Sequence, residues 1–226
     1  MPSLLLTGAN RGLGLALARR YAGRGWRVHA CCRDPDRAHA LRALAGAVRL
    51  HRLELRDPSH HAALLDALGE EPLDVVIANA AVPGPPDSPT DLDVGAWLET
   101  FHVNVIAPAR LALALRPHLA RSRLRRLVAI TSLLGSIADN RTDGLLAYRS
   151  SKAALHMVWR SLAVAFAADG IICTLIHPGW VRTRMGGPAA PLSPEDSAAH
   201  IQDLIDRLGP EHNGAFLSWR GEPCPW

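Results

Sequence analysis

Apolar runs and polar breaks alternate along this chain in a way that predicts parallel strands separated by helices. Short apolar runs, typical of strands buried on both faces, lie at residues 3–7, 26–32, 48–55, 73–78, 127–132, 171–176 and 214–218. Stretches with apolar residues three and four positions apart predict helices over residues 15–22, 36–46, 59–68, 94–120, 147–168 and 194–208. Pro108 falls within the fourth of these and marks a possible kink. The order predicts an α/β fold: one doubly wound, mostly parallel sheet of about seven strands with helices on both faces.

Glycines follow the first predicted strand directly. Gly8 suits a tight turn, Gly12 allows a phosphate to approach the backbone, and Gly14 allows the next helix to pack closely on the strand. A strand, a glycine-rich turn and a helix together present free backbone N–H groups at a helix N-terminus. The pattern predicts a binding site for the pyrophosphate of a dinucleotide, and a glycine-rich turn without a ligand is the alternative.

The end of the second predicted strand bears on which dinucleotide is bound. An acidic residue there would hydrogen-bond a free ribose 2′-hydroxyl, whereas arginine accommodates a 2′-phosphate. Cys32 stands at that point and Arg33 follows it, while Arg11 in the glycine turn supplies a second guanidinium. These residues favour NADP(H) over NAD(H). Asp34 is the alternative ribose partner if the strand ends one residue later.

Small and polar residues also follow three other predicted strands. Asn79 comes after the fourth strand, Ser132 ends the fifth, and a loop from His177 to Thr183 follows the sixth. Glu54, near the end of the third, would accept a hydrogen bond from the adenine amino group or would lie on the surface. Ligands of open parallel sheets bind beyond the carboxyl ends of the strands, so we expect these residues to gather at one edge.

Tyr148 and Lys152 lie four residues apart in a predicted helix, and therefore on one face of it. Lys152 is the only lysine in a chain whose other strongly basic residues are all arginine. A nearby ammonium would lower the pKa of the phenol from about 10 towards neutrality, so that the side chain could give or take a proton. An amphipathic helix with an incidental tyrosine is the alternative.

Composition narrows the function further. The chain has 226 residues, 48% of them hydrophobic and 20% charged, and no linker-like stretch divides it, so one domain over residues 1–226 is expected. There is no apolar run of transmembrane length and no signal peptide, and the four cysteines form no disulfide framework, which together predict a cytoplasmic protein. Neither cysteines nor histidines show metal-binding spacing, so no metal is expected. The net charge of +4 is diffuse apart from residues 121–126, at a predicted helix end, so no nucleic acid partner is expected.

Several motifs in the right order resemble those of the short-chain dehydrogenase/reductase family. The chain carries Thr-Gly-x-x-x-Gly-x-Gly at residues 7–14, Asn-Ala-Ala in place of Asn-Ala-Gly at 79–81, Tyr-x-x-x-Lys at 148–152 and Pro-Gly-x-x-x-Thr at 178–183. The resemblance covers essentially the whole length. A long loop after Gly135 resembles the C-factor-like and sniffer-like carbonyl reductase branch. A single-domain Rossmann fold with both cofactor and substrate sites is implied.

The resemblance also implies roles for individual residues. Tyr148 would exchange the proton and Lys152 would lower its pKa and bind the nicotinamide ribose. Ser132 would orient the carbonyl, with Ser136 as the competing candidate because the spacing to the tyrosine is longer than usual. Asn104 would hold a water that links Lys152 to solvent. The residues expected at the cofactor are Gly8, Asn10, Arg11, Gly12, Leu13, Gly14, Arg33, Glu54, Leu55, Asn79, Ala80, Ala81, Tyr148, Lys152, Pro178, Gly179, Val181 and Thr183.

The function these expectations support is NADP(H)-dependent hydride transfer between nicotinamide and a small carbonyl compound or secondary alcohol. Reduction of an imine or enone, or a cofactor-binding regulatory or signalling protein without turnover, are the alternatives. The resemblance also favours a homodimer formed by the helices around 94–120 and 147–168. The second of these helices carries Met157, Val158 and Trp159 in succession.

Overall fold

A computed structural model describes residues 1–86 and 92–226, and its centre is one parallel sheet. The strands are β1 Ser3–Thr7, β2 Arg27–Cys32, β3 Val48–Arg52, β4 Val75–Ala78, β5 Arg126–Ile130, β6 Ile172–His177 and β7 Phe216–Ser218. They lie in the order β3-β2-β1-β4-β5-β6-β7, and every pair of neighbouring strands is parallel. The order reverses between β1 and β4, which is where ligands of doubly wound sheets bind. The predicted fold class is confirmed.

Helices cover both faces of this sheet. They are α1 Gly12–Gly23, α2 His39–Arg42, α3 Pro58–Leu68, α4 Val94–Phe101, α5 Ala107–Ala120, α6 Leu146–Ala165 and α7 Pro194–Asp206. In β1, Leu4 and Leu6 face the core under α1 and α7, whereas Leu5 faces the core under α3, α5 and α6. Successive side chains of a strand point to opposite faces, so a strand covered on both sides must be apolar throughout. This explains the continuous apolar runs.

The long helix predicted over 94–120 is interrupted. A single π-helical turn, His102–Ile106, separates α4 from α5. Pro108 lies in the first turn of α5, where its missing N–H leaves no hydrogen bond unmade. The expected break is therefore present, just before the proline. It places the buried Asn104 inside the π turn, a feature often found at functional sites.

The segment between β2 and β3 holds less helix than its sequence pattern predicts. Only one turn, α2, forms within the predicted 36–46, and Leu41 is its one buried residue. Beyond it, Gly46 has φ +102°, which ends any helix. β3 ends at Arg52, three residues before the predicted end, because the chain turns there into α3, which Asp57 caps through the Ser59 N–H.

The helices α5 and α6 expose apolar side chains to solvent. Ile106 and Leu113 lie two turns apart before and within α5, and Met157 and Val164 lie two turns apart on α6. Trp159 is buried against the sheet, so of the three successive apolar residues on α6 only Met157 is exposed. In the described part of the chain no helix combines the length and the apolar character needed to cross a membrane.

Candidate active site

The turn between β1 and α1 is shaped by its glycines. Gly8 has φ +67°, a conformation that residues with a Cβ rarely adopt. A Cβ on Gly14 would overlap the Gly8 carbonyl oxygen and lie 2.8 Å from the Asn79 Nδ2. Both positions therefore require glycine for the helix to start this close to the strand.

The residues after β4 hold this turn in place. The Thr7 hydroxyl accepts hydrogen bonds from the backbone N–H groups of Asn79 and Ala80, each at 3.0 Å. The Asn79 side chain donates to the carbonyls of Thr7 at 2.9 Å and Gly8 at 3.3 Å. The small residues at 80 and 81 are half-buried beside the turn. Two of the predicted motifs thus form one rigid unit at the switch point of the sheet.

Three guanidinium groups surround the start of α1. The pKa of Arg11 is lowered by partial burial and by the positive charges of Arg184 and Arg33. Among the described residues none of the three pairs with a carboxylate, and no side chain caps the first turn of α1. Uncapped N–H groups and unpaired arginines fit a ligand that carries several phosphates. A dinucleotide with a 2′-phosphate meets this requirement.

Arg184 was missed by the sequence reasoning. It follows directly after Thr183, whose Cγ2 lies 3.2 Å from the position a Cβ on Gly12 would take. The loop after β6 therefore lies against the glycine turn. An arginine next to a motif residue was the available signal, but its proximity to Arg11 depends on two distant segments meeting.

The end of β2 has the expected residues. Cys32 is its last residue and is buried, and Arg33 is exposed beyond it. The Asp34 carboxylate accepts a hydrogen bond from the Arg37 N–H at 3.3 Å. Asp34 therefore takes part in the turn that follows the strand.

Beyond β3, the Glu54 carboxylate accepts from Arg56 Nε at 3.3 Å, and the adjacent Leu55 is buried. The contact of Glu54 with adenine stays a prediction, since in this structure its carboxylate already has a partner.

Ser132, Tyr148 and Lys152 meet at the carboxyl end of β5. Tyr148 lies in the first turn of α6, and its hydroxyl is hydrogen-bonded to the side chain of Ser132. Lys152 lies one turn later, with its Nζ 5.6 Å from the Tyr148 ring centroid and 3.2 Å from the Ile130 carbonyl oxygen. The expected spatial relation of these three side chains is present.

Their charge states differ from the sequence-based expectation. Burial raises the pKa of Tyr148 to about 12, although the hydrogen bond from Ser132 acts in the opposite direction. Burial also lowers the pKa of Lys152 to about 8. The prediction that the lysine moves the tyrosine pKa towards neutrality is therefore wrong for the chain without ligand, because removal of the phenol from water outweighs the hydrogen bond from Ser132.

The two candidate serines have different surroundings. Ser136 is buried, and its hydroxyl donates to the Trp226 carbonyl oxygen at 3.1 Å while it accepts from the Asp139 N–H at 3.0 Å. The Ser132 hydroxyl accepts from the Leu134 N–H at 3.1 Å, and it has the contact with Tyr148. The geometry favours Ser132 as the residue that faces a substrate.

The side chain of Asn104 makes three hydrogen bonds within the protein. Its amide donates to the Val82 carbonyl oxygen at 2.9 Å and to Ser151 Oγ at 3.0 Å, and its oxygen accepts from the Val82 N–H at 2.9 Å. Ser151 in turn donates to the Tyr148 carbonyl oxygen at 2.7 Å. The side chain thus fastens the start of α6 to the π turn.

The loop after β6 closes the other side of the site. Gly179 has φ +84°, and a Cβ there would lie 2.9 Å from Leu192 Cδ2. The Pro178 carbonyl accepts from Ser197 at 2.7 Å, and Val181 is buried. Trp180 is exposed beside them. Asn10 is exposed and Leu13 buried on either side of the α1 start, so the expected cofactor residues line one edge of the sheet.

No group of three or more histidine, cysteine, aspartate or glutamate side chains within residues 1–86 and 92–226 has the arrangement of a metal site.

Comparison with known proteins agrees with this geometry. A family model described as short chain dehydrogenase matches residues 3–191. C-signal of Myxococcus xanthus is 43% identical over 155 residues, which is 69% of this chain and 93% of that protein.

Solved structures resemble the whole chain. The carbonyl reductase Sniffer of D. melanogaster has a TM-score of 0.93 and 32% identity over 100% of both chains. An NADPH-bound carbonyl reductase from chicken fatty liver has a TM-score of 0.92 and 31% identity, over 100% of this chain and 99% of its own.

Proposed function

Because the chain belongs to the short-chain dehydrogenase/reductase family, we propose that it is an NADP(H)-dependent carbonyl reductase that interconverts a small carbonyl compound and its secondary alcohol. The observation that carries this proposal is the convergence of Ser132, Tyr148 and Lys152 at the carboxyl edge of the sheet, the edge that also carries the glycine turn. The bound nicotinamide supplies or accepts the hydride. The protein residues position the reactants and move the proton.

Tyr148 is the proton donor in the reductive direction. With a pKa of about 12 its hydroxyl stays protonated at physiological pH, so it can give its proton to the substrate oxygen as charge develops there. The remaining phenolate is stabilised by the Lys152 ammonium and by its place in the first turn of α6, at the positive end of the helix dipole. The hydroxyl of Ser132 orients the carbonyl beside the tyrosine.

Lys152 has to be charged for this role. Its place near the site fits a second contact, with the hydroxyls of the nicotinamide ribose. Asn104 holds the backbone near Tyr148 and, in the proposal, a water through which the lysine exchanges protons with solvent. Thr183 steadies the carboxamide.

The adenosine end of the cofactor carries the preference for NADP(H). The start of α1 takes the pyrophosphate, and Arg11 and Arg33 take the 2′-phosphate. Arg184 adds a third positive charge, and it is close enough to Arg11 to lower the pKa of that guanidinium. The 31% identical carbonyl reductase from chicken fatty liver has NADPH bound in its solved structure, which supports the assignment.

We also propose that the protein is a homodimer. The exposed pairs Ile106/Leu113 and Met157/Val164 supply two apolar stripes with helical spacing. We propose that the protein is located in the cytoplasm, because its four cysteines are all free thiols and thiols are kept reduced in that compartment. One domain, residues 1–226, would hold both sites. Light scattering should give twice the chain mass, and Met157→Asp should give the monomer.

The test of the activity follows absorbance at 340 nm with NADPH and with NADH against ketones, aldehydes and quinones. NADPH-selective turnover supports the proposal. The double variant Arg11→Ala/Arg33→Ala should raise the KM for NADPH by at least tenfold and leave that for NADH nearly unchanged, because only NADPH has the 2′-phosphate. An equal loss for both cofactors would contradict the assignment of the two arginines.

A regulatory or signalling role is the second candidate. It is favoured by the name of the 43% identical relative, C-signal. Tight NADPH binding without turnover on carbonyls, imines or enones would support it, whereas turnover of imines or enones alone would move the assignment to another reductase on the same scaffold.

A further inference from the structure

The last residues of the chain fold back onto β7. The Cys224 N–H donates to the Phe216 carbonyl oxygen at 2.8 Å, and Leu217 and Pro223 form an antiparallel bridge. The Ser218 N–H donates to the Glu222 carbonyl oxygen at 2.8 Å. Residues 222–226, which we call the return segment, are thereby tied to the edge of the sheet. Its last residue, Trp226, contacts the turn that follows Ser132.

The Trp226 carbonyl oxygen accepts two hydrogen bonds from the turn that follows Ser132. One comes from the Ser136 hydroxyl at 3.1 Å and the other from the Ala138 N–H at 2.8 Å. The same Ser136 hydroxyl accepts from the Asp139 N–H at 3.0 Å. One carbonyl therefore fixes both the buried and the exposed part of this turn.

The Trp226 ring fixes the other side of the turn. It meets His156 edge-on, with ring centroids 5.9 Å apart, and the Phe216 ring lies 4.3 Å from the same histidine. His156 follows Lys152 by one helical turn, and its Nε2 lies 2.7 Å from the hydroxyl of Thr131, the residue before Ser132. The Trp226 ring thus packs on His156, and His156 is hydrogen-bonded to Thr131, the residue before Ser132.

Space inside this arrangement is tight. A Cβ on Gly135 would lie 2.7 Å from Lys152 Cβ and 2.8 Å from His156 Cε1. The turn therefore packs directly on α6, and hydrogen bonds tie it to the return segment. The Ser132 hydroxyl accepts from the Leu134 N–H, so its direction follows the position of that turn.

We propose that Trp226 is a positioning residue for the reduction: it holds the turn at residues 133–138 so that the Ser132 hydroxyl stays directed at Tyr148 and the substrate carbonyl. Trp226 acts through Ser132 and touches no reacting atom. The inference rests on the proposed carbonyl reductase activity and adds a residue far from the family motifs.

The first test compares Trp226→Ala, Trp226→Phe and Ser136→Ala, with Ser161→Ala as a matched control. Among the described residues, the Ser161 hydroxyl bonds only to the Met157 carbonyl of its own helix, so its loss removes a hydroxyl away from the turn. We expect Trp226→Ala to lower kcat by about tenfold to a hundredfold, since small misplacements near the reacting atoms have effects of this order. NADPH affinity should change by less than twofold, and Trp226→Phe should recover most of kcat.

Ser136→Ala keeps the apolar packing but removes two hydrogen bonds, so it should lower kcat several-fold and lower the melting temperature by only a few degrees. It therefore tests the inference even if Trp226→Ala folds poorly. Loss of melting temperature with an unchanged kcat in both variants would mean that the return segment is only structural, and would overturn the inference.

The second test is a double-mutant cycle with Ser132→Ala. If Trp226 acts through the serine, Trp226→Ala should cost much less in the Ser132→Ala background than in the wild type. Equal losses in the two backgrounds would contradict the inference. Hydrogen exchange should also show faster exchange of the Ala138 amide in Trp226→Ala.

The two proposals can be told apart. A wild type without turnover on any carbonyl would refute the proposed function and the positioning role of Trp226 with it. An active wild type whose kcat survives Trp226→Ala and Ser136→Ala would refute only the role of Trp226.

Discussion

At the scale of single residues, burial shifts the pKa values of Tyr148 and Lys152 away from those of the free side chains, in opposite directions. The tyrosine holds its proton more tightly and the lysine less tightly than in water. The pair was predictable because a four-residue spacing is a local property of the sequence. The sign of the shifts was not, because it depends on how β5 and the turn after it exclude water. The choice between Ser132 and Ser136 likewise required the contact with Trp226.

Replacement of Tyr148 by phenylalanine tests the proton donor. The ring is kept and the proton is lost, so kcat should fall by roughly a thousandfold or more while NADPH affinity changes little. Tyr21→Phe is the matched control, since Tyr21 is the only other tyrosine and lies buried against Trp26. Near-normal turnover in Tyr148→Phe, by the 340 nm assay, would sink the catalytic assignment.

The pH dependence of the reduction tests Lys152. Its pKa of about 8 means that the ammonium is present below pH 8 and is lost above it. The kcat/KM for reduction should therefore be level below this pH and fall about tenfold per unit above it, since it reports the free enzyme. Lys152→Arg keeps its charge at all accessible pH values. This variant should be less active than the wild type, but its kcat/KM should not fall above pH 8. A wild-type profile that stays level to pH 10 would contradict the role of the ammonium.

At the scale of elements, the interface between α1 and α7 contains buried polar atoms that have no hydrogen-bond partner among the described residues. Gln202 on α7 is completely buried, and neither its amide oxygen nor its amide nitrogen has a partner among the described residues. The Tyr21 hydroxyl of α1 is also buried without one. Buried polar groups without partners lower stability. The interface is thus less stable than an apolar one of the same shape would be.

Gln202→Leu should therefore stabilise the protein. The change keeps the size and removes the two unpaired atoms, so the free energy of unfolding should rise by about 1–2 kcal/mol in urea titrations. Gln202→Glu is the size-matched opposite and should lower it, because it buries a charge. A loss of stability in Gln202→Leu would show that solvent inside the interface satisfies the amide.

Helix positions along the chain were mostly predictable, and the exceptions have tertiary causes. The starting points of α3 and α7 follow from the local N-cap residues Asp57 and Ser193. The π turn does not, because it accompanies the hydrogen bonds of Asn104 to Val82 on a distant segment. α2 was overestimated because its apolar spacing is weak and the next glycine has a positive φ.

At the scale of the whole molecule, five histidines are held neutral by the fold. Burial lowers the pKa of His29, His51, His61, His156 and His177, to about 4 for the second, fourth and fifth of them. His29 and His51 lie 3.0 Å apart, and His29 also bonds the Glu71 carboxylate at 3.1 Å. The pKa of Glu71 is lowered in spite of its own burial, because Arg27 and His29 bond it. The sheet edge thus contains a partly buried network in which burial favours the neutral histidines although Glu71 favours the charged form of His29.

The protein should lose stability in mild acid. A lowered folded-state pKa means that the unfolded chain takes up protons first as the pH falls below about 6.5, so the free energy of unfolding should fall between pH 6.5 and 4. Each histidine contributes at most about 1.4 kcal/mol per pH unit in this window. Urea titrations at several pH values measure the slope, and His51→Asn should make it shallower. A free energy of unfolding that stays level from pH 7 to 4.5 would contradict the neutral state of these side chains.

Because Lys152 is the only lysine in the chain and lies in α6, proteolysis after lysine can be used to measure local unfolding of this helix. A protease that cuts only after lysine has one target bond in the whole chain, between Lys152 and Ala153, and that bond lies within α6 beside the active site. Native protein should resist cleavage until α6 opens, and then yield only two fragments. The rate of that one cut measures how often α6 leaves the sheet, without any label, and the proposed cofactor NADPH should slow it in proportion to its occupancy.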